Sequence, residues 1–455
     1  SSSSSSSSAS LPPNLAASVL PLDPSSFSDS ADSSSTSSAS ASSTTVHVHK
    51  IPRTQELRVE VSHEDEISVR LLQGQAEIFG TEMASRESYT FSGANFAIYT
   101  WHGAQVQITG NCHTYLAEET PNAFYLNTHQ ALEQLREEAA STSGEGPRVI
   151  LVGATDTGKS SVCRLLLNYA ARRARTPLCV DLDVGQGSLT IPGMLGAVVV
   201  QRPYCVKSGW SRLAPLIYFY GDTTPSTNPE FYQKQVETLA NTLEQRIAGN
   251  PTIRQSGMII NTCGWVDQGG YELLQHSIRT FRADIILVLG NERLYSDLRQ
   301  SFGSLRVVNM PKSGGVVPRS PAFRRNNRVR KMREYFYGFD NTLSPLVSAV
   351  NFSEVAILQV GSGPQAPSSA LPIGAERLLK PCQLTAVLPS QDLLHAVLAV
   401  SQAQTREEVE TANIAGFVKV TEVKGARSQL LFLAPCAGPL PGRFLLLGRL
   451  RWLEA

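Results

Sequence analysis

The chain has 455 residues, with 40 Lys and Arg against 39 Asp and Glu for a formal charge of +1. That length allows two or three domains with buried cores, and the near-neutral balance argues against coating nucleic acid by net charge, though a local basic patch is compatible with it. Seven scattered cysteines without a C-x-x-C pair argue against a disulfide framework or a zinc site, and no apolar run reaches the roughly 18–20 residues that span a bilayer.

The expectation is therefore a soluble intracellular protein with free thiols. The first residues, "SSSSSSSSAS" and the Ser-rich sequence after them, cannot bury enough apolar surface to offset their ordering entropy, so residues 1–48 read as a disordered tail. From His49 to about Leu116, short segments such as "ELRVEV", "ISVRLL", "FAIYTW" and "AQVQITG" alternate apolar and polar residues between Gly or Ser breaks, which predicts a small β domain over 49–120. Within 121–146, "HQALEQLREEAA" reads as an amphipathic linking helix, followed by a flexible "STSGEG".

A different pattern starts at Pro147. "RVILVG", "PLCVDLD", "PLIYFY", "GMIINT" and "DIILVLG" are continuous apolar strands separated by helical stretches, the pattern of a parallel sheet covered on both faces. This α/β domain runs to residue 338. Residues 339–455 return to short strands and Pro/Gly turns, a second β-rich domain interrupted by a helical "SQDLLHAVLAVSQ".

"GATDTGKSS" (153–161) fits G-x-x-x-x-G-K-[ST] between a strand and a helix, so backbone amides and the helix N-terminus converge on one anion. The expected nucleotide-binding residues are Gly153, Asp156, Thr157, Gly158, Lys159, Ser160 and Ser161, with Lys159 reaching the β- and γ-phosphates and the Ser160 hydroxyl holding Mg²⁺. "VDLDVGQGS" (180–188) ends the next strand at the same sheet edge. Asp183, nearer the exit than Asp181, is the candidate to take or orient the proton of an attacking hydroxyl or to hold Mg²⁺, unless it only caps the turn. "DVGQ" is one residue short of the switch-GTPase D-x-x-G-Q, and no N-K-x-D guanine signature is present, which disfavours a GTP switch.

Between Lys312 and Arg333 lie eight Lys and Arg and no acid, entered through Ser-Gly-Gly. Such a run suits a hinged lid whose arginines bridge phosphoryl oxygens, or else a solvated basic face. In "INTCGWVDQGGY", Trp265 follows a buried strand and is either a base-stacking platform or a core residue. The hydroxyls of "YGDTTPSTN" could line a nucleic-acid path.

Together, "AEIFGTE", "FAIYTWHGA", "GATDTGKSSVCRLLLNYA", "DLDVGQGSLTIPG", "INTCGWVDQGGY" and "PKSGGVVPRS" resemble the Clp-type polyribonucleotide 5′-hydroxyl kinases of the pre-mRNA cleavage and polyadenylation machinery, from about residue 50 to the C-terminus. The resemblance implies a central P-loop domain between β-rich N- and C-terminal domains. It also implies ATP and Mg²⁺ as cofactors, RNA with a 5′-hydroxyl and other cleavage-complex subunits as partners, no membrane, and a nuclear location, with tRNA splicing as a further setting. It implies that Lys159, Asp183, Arg319, Arg324 and Arg328 are catalytic, that Trp265 and Gln186 hold RNA, and that Glu56 and Asn95 contact the nucleotide. The chain departs from the family pattern at Ala154, Ser161 and Asn95, the last standing where many relatives carry Lys. Because some fungal relatives have eroded sites, a silent ATP-holding scaffold is the alternative to an active kinase.

Overall fold

The structure, a computed structural model, describes residues 45–207, 209–210, 215–361 and 382–453. Most of the Ser-rich segment lies outside these residues. Its expected end does not hold: Val46–Ile51 is already a strand, paired antiparallel with Ala104–Thr109, because Val46, Val48 and Lys50 alternate with His47, His49 and Ile51 along a sheet edge.

Nine strands make the N-terminal part: β1 (Val46–Ile51), β2 (Glu56–Glu60), β3 (Glu66–Gly74), β4 (Glu77–Ile78), β5 (Thr81–Glu82), β6 (Ser88–Ser92), β7 (Asn95–Tyr99), β8 (Ala104–Thr109) and β9 (His113–Ala117). They form two sheets, β1-β8-β3-β6 and β5-β4-β7-β2-β9. The alternating residues Ile67, Val69 and Leu71 of β3 and Leu57 and Val59 of β2 fill the space between them.

Helix α1 (Asn122–Thr142) carries the chain to the centre. It is not a free linker. Tyr125 and Leu132 pack into the apolar cluster of the phosphate-loop helix, and fully buried Arg136 donates through Nε to the Ser256 carbonyl (3.0 Å) and pairs with Glu133 (3.4 Å). Of "STSGEG", Ser141 and Thr142 end α1, the Gly146 amide donates to the Arg254 carbonyl, and Glu145 pairs with Arg148.

The centre comprises β10 (Arg148–Val152), α2 (Lys159–Arg172), β11 (Leu178–Asp181), β12 (Met194–Val199), β13 (Leu216–Phe219), α3 (Pro229–Ala248), α4 (Pro251–Ser256), β14 (Met258–Asn261), α5 (Gly269–Thr280), β15 (Ile285–Leu289), α6 (Glu292–Ser301), β16 (Arg306–Met310) and α7 (Pro321–Tyr337). Sheet order is β13-β12-β11-β14-β10-β15-β16. The five strands from β11 to β16 are parallel, with Ile150 of β10 opposite Ile260 and Ile286. The parallel reading needs one correction, since β12 pairs antiparallel with both β11 and β13 and so runs against the other described strands of this sheet. A glycine-rich turn at 185–193 brings the chain straight back after β11, with no crossover helix, which forces the reversed direction.

The last sheet has the order β17-β22-β21-β20-β23-β18-β19, from β17 (Leu346–Asn351), β18 (Ala356–Val360), β19 (Leu384–Ala386), β20 (Ala396–Ser401), β21 (Ile414–Lys424), β22 (Gln429–Ala434) and β23 (Phe444–Arg451). The helix expected in "SQDLLHAVLAVSQ" is instead a short 3₁₀ turn, Gln391–Leu393, and strand β20. All six β20 residues are buried, and an apolar run covered on both faces carries no period that separates strand from helix. Phe417, Leu446, Leu450 and Trp452 from this part enter the same apolar cluster as α3, β12 and β13.

Arg136→Ala removes a buried cation that ties α1 to the end of α4. It should lower unfolding free energy by about 3 kcal/mol in urea titration, whereas Arg136→Met, which keeps the packing, should cost less.

Candidate active site

Strand β10 is completely buried and, past Arg148, apolar, so it fixes the point from which the loop 153–158 springs. Gly158 adopts a left-handed conformation (φ 93°) that an L side chain resists, and α2 begins at the next residue. The loop amides and the positive end of α2 consequently face one cavity of about 960 Å³ at the C-terminal edge of the parallel strands. Asp156, Thr157, Gly158, Lys159, Ser160 and Ser161 line that cavity; Gly153 lies beneath it and contributes a carbonyl to Lys159. The Thr157 hydroxyl is turned back onto the Ala154 carbonyl (2.9 Å).

Lys159 is 6% exposed, and its ammonium donates to the Gly153 and Ala154 carbonyls (2.8 and 2.7 Å). Lost hydration holds it below the ordinary lysine range, against the attraction of Asp183 and Asp156. An arriving polyanion would supply the charge that these neutral carbonyls lack.

The carboxylates at the end of β11 have separate settings. Asp181 ends the strand and is saturated: it accepts from the Asp183 amide (3.1 Å), the Asn261 side chain (3.0 Å), and the amide and hydroxyl of Ser188 (2.7 and 2.5 Å). Asp183 lies two residues past the strand, on the cavity wall, where one oxygen accepts from the Gly185 amide (2.9 Å). Desolvation and the neighbouring Asp181 push it up to about 6, against the Gly185 and Gln186 amides and Lys159. A carboxylate with that value suits proton abstraction near neutral pH.

The Ser160 hydroxyl donates to Asn261 (3.4 Å), whose amide donates to Asp181, so Ser160, Asn261 and Asp181 form one chain across the ends of β14 and β11. Sequence reading missed Asn261 and passed over Asp181, because only the pairing of β11 with β14 brings them together. Among the described residues no group of three or more His, Cys, Asp or Glu could hold a metal by itself. One hydroxyl and one wall carboxylate nevertheless fit Mg²⁺, which keeps several waters and takes phosphate oxygens for the rest of its shell.

The basic run forms helix α7 and the strand-free segment before it. Its root is buried: Phe336, fully enclosed, stacks on Trp452 with ring centroids 5.1 Å apart, and the Tyr335 hydroxyl accepts from the Phe417 amide (2.9 Å). Its start is latched to the phosphate loop, where the Asp156 carboxylate accepts from the Arg319 amide (2.9 Å) and the Arg324 guanidinium (2.5 Å). Arg319, Arg324 and Arg328 all line the large cavity. Desolvation, followed by repulsion from Arg325 and Arg324, holds Arg328 below its ordinary value. Such a cluster favours an anion in its midst. The helix also meets the N-terminal sheets, with Phe323 against His63 (4.4 Å) and Arg330 bonded to the Ser92 carbonyl.

Trp265 is partly exposed and lines the cavity while packing on the edge of the central core. Its loop has no slack. A Cβ on Gly264 would lie 2.5 Å from the Thr155 amide nitrogen, and one on Gly270 would strike the indole at 2.6 Å. Gln186, on the same wall, accepts from the Asn327 side chain of α7 (3.3 Å). Thr223 and Thr224 line the wall too. Glu56 lines a second cavity, of about 110 Å³, between the N-terminal sheets and α2, and Asn95 lines both, as do Phe79, Phe96, Gly158 and Ser161. Glu56 is 3% exposed and accepts from Arg58, Thr120 and Asn122.

Fold and site define a lidded P-loop protein, with its nucleotide loop between two β-rich parts. Family models described as mRNA cleavage and polyadenylation factor CLP1 P-loop, N-terminal beta-sandwich domain of polyadenylation factor, and pre-mRNA cleavage complex II protein Clp1 match residues 153–338, 50–139 and 343–454. The polyribonucleotide 5′-hydroxyl-kinase Clp1 of Homo sapiens is 45% identical over 409 residues, covering 89% of this chain and 96% of that protein. The protein CLP1 homolog of Arabidopsis thaliana is 44% identical over 418 residues, covering 89% and 94%. A solved wild-type Clp1p–Pcf11p complex superposes with a TM-score of 0.77 at 27% identity, covering 90% of this chain and 99% of that one. The chain belongs to the Clp1 family.

Two outcomes follow from the site. Asp156→Asn removes the charge that latches Arg324 and should speed tryptic cleavage within 319–328 of the nucleotide-free protein by about fivefold, the factor for ~1 kcal/mol of a half-exposed ion pair. Asp183 is raised in the folded state, so its contribution to stability is present below about pH 4 and lost as pH rises through about 6. Nucleotide-free Asp183→Asn should therefore melt higher than the parent at pH 8, by on the order of 1–3 kcal/mol, and lose that advantage near pH 4.

Proposed function

We propose that this chain transfers the γ-phosphate of ATP to the 5′-hydroxyl of RNA as a nuclear subunit of the mRNA 3′-end cleavage and polyadenylation machinery, with tRNA splicing as a second setting. The observation that carries this reading is Asp183, a wall carboxylate raised to about 6, facing the same cavity as Lys159 and the lid arginines. It is supported by relatives named polyribonucleotide 5′-hydroxyl kinases.

In this reading the adenine occupies the small cavity beside Glu56 and Asn95, and the triphosphate runs over Gly158 to the loop amides. Lys159 exchanges its loop carbonyls for phosphate oxygens. Asp183 accepts the proton of the 5′-hydroxyl as that oxygen attacks the γ-phosphorus in line, and ADP leaves. Arg324 moves from Asp156 to the transferring group, joined by Arg319 and Arg328, where fixed positive charge stabilises spreading negative charge. Mg²⁺, held by Ser160 and Asp183, would neutralise phosphate charge when bound. Trp265 stacks the terminal base, with Gln186 beside it.

A second reading is an ATP-holding scaffold that transfers nothing. It is prompted by a solved Clp1p–Pcf11p structure described by its extended interface and by the structural basis for ATP loss in a point mutant. The readings separate in one assay. Parent protein should label a 5′-hydroxyl RNA from γ-labelled ATP. Lys159→Ala should not, and Asp183→Asn should lose at least a hundredfold in kcat while retaining ATP binding. The parent's kcat/KM should fall as pH drops below about 6, where Asp183 protonates. ATP bound without transfer by the parent would leave the scaffold.

A further inference from the structure

One cation on the cavity wall has no part in that mechanism. Arg164 lies one helical turn beyond Ser160 on α2, about 6 Å along the axis at 1.5 Å per residue, and lines the large cavity but not the small one. Its guanidinium is sandwiched between the rings of Tyr204 (5.0 Å) and Phe79 (5.5 Å). It has no acidic partner among the described residues, and its Nε is buried without a hydrogen-bond partner. Asn168, a further turn along, fixes both platforms: its side chain donates to the Phe79 carbonyl (2.7 Å) and accepts from the Tyr204 amide (2.8 Å). This is a built position. Beyond it the cavity continues between β6–β7 and the segment around Tyr204, past Phe91, itself stacked on Phe96 at 4.0 Å, to Lys207 at the mouth.

We propose that this lobe is a subsite for the body of a single-stranded RNA acceptor, with Arg164 taking an internal phosphate about one nucleotide from the reacting end. The inference rests on the acceptor reading given above. Two features favour an RNA strand over the donor nucleotide. Arg164, Tyr204 and Lys207 line the large cavity and not the adenine cavity, although Phe79 lines both, and a pairing of cations with aromatic faces is what single strands use for phosphates and bases. Lys207 pairs with exposed Glu87 and lies over the Tyr89 ring at 5.4 Å, a surface ion pair that a phosphate can displace.

The test measures anisotropy of 3′-labelled 5′-hydroxyl RNA of two and ten nucleotides on the full chain, with a non-hydrolysable ATP analogue and Mg²⁺, across a salt series. Arg164→Gln should weaken ten-nucleotide binding about tenfold and reduce the salt slope by about 0.7, the value for one single-strand phosphate. Arg164→Lys should restore the slope, which a folding defect would not allow, and Lys207→Gln should weaken only the longer RNA. Ten-nucleotide affinity within twofold of the parent at an unchanged slope would overturn the proposal. So would a loss confined to the ATP analogue, measured in parallel. Transfer to the dinucleotide reports separately on the kinase reading: its absence alongside the expected binding changes would sink catalysis and leave the RNA subsite standing.

Discussion

A buried lysine without a carboxylate in contact governs this molecule. Lys159 is nearly removed from water, and only two loop carbonyls receive its ammonium. A charge so placed is costly unless something anionic arrives. Around it the protein keeps negative charge close but engaged elsewhere. Asp181 is saturated by Ser188 and Asn261, Asp156 is committed to the lid, and Asp183 is partly neutralised by its own desolvation. The site is electrostatically incomplete toward one class of guest, and the surrounding architecture keeps that position open.

The three parts of the fold contribute unequally to this condition. The parallel strands set the loop and the carboxylates at one edge, and their buried apolar residues make that edge rigid. The N-terminal sheets wall the cavity and are tied to α2 by polar contacts of some cost to break, notably Glu77 with Tyr169 (2.5 Å) and Arg172 (2.8 Å). Among the described residues the C-terminal sheet supplies none to either cavity wall, but it holds the root of α7.

Much of this was legible in the chain, for identifiable reasons. The phosphate loop announces itself because its chemistry is local: glycines, lysine and serine act within one turn between a strand and a helix. Trp265 and the basic run could be singled out but not resolved into site or surface, since exposure is a tertiary property. Asn261 could not be found at all, as it becomes relevant only where β14 aligns it with Asp181. Nothing in the sequence sets Arg164 apart, because Phe79 and Tyr204, 85 residues before and 40 after, close on it only in the fold. Strand β20 was misread because complete burial erases periodicity, and β12 went unseen because nothing in an apolar run states its direction.

The graded anchoring of α7 has a mechanical meaning. Phe336 and Met332 fix one end in packed apolar surroundings, while the other, carrying Arg324 and preceded by Arg319, is held by the polar latch to Asp156 and by Phe323 against His63. The helix is a cantilever. Its arginines therefore share one anchorage at the Phe336–Trp452 stack instead of being placed as independent side chains. The C-terminal sheet thereby sets where that charge stands over the phosphate loop.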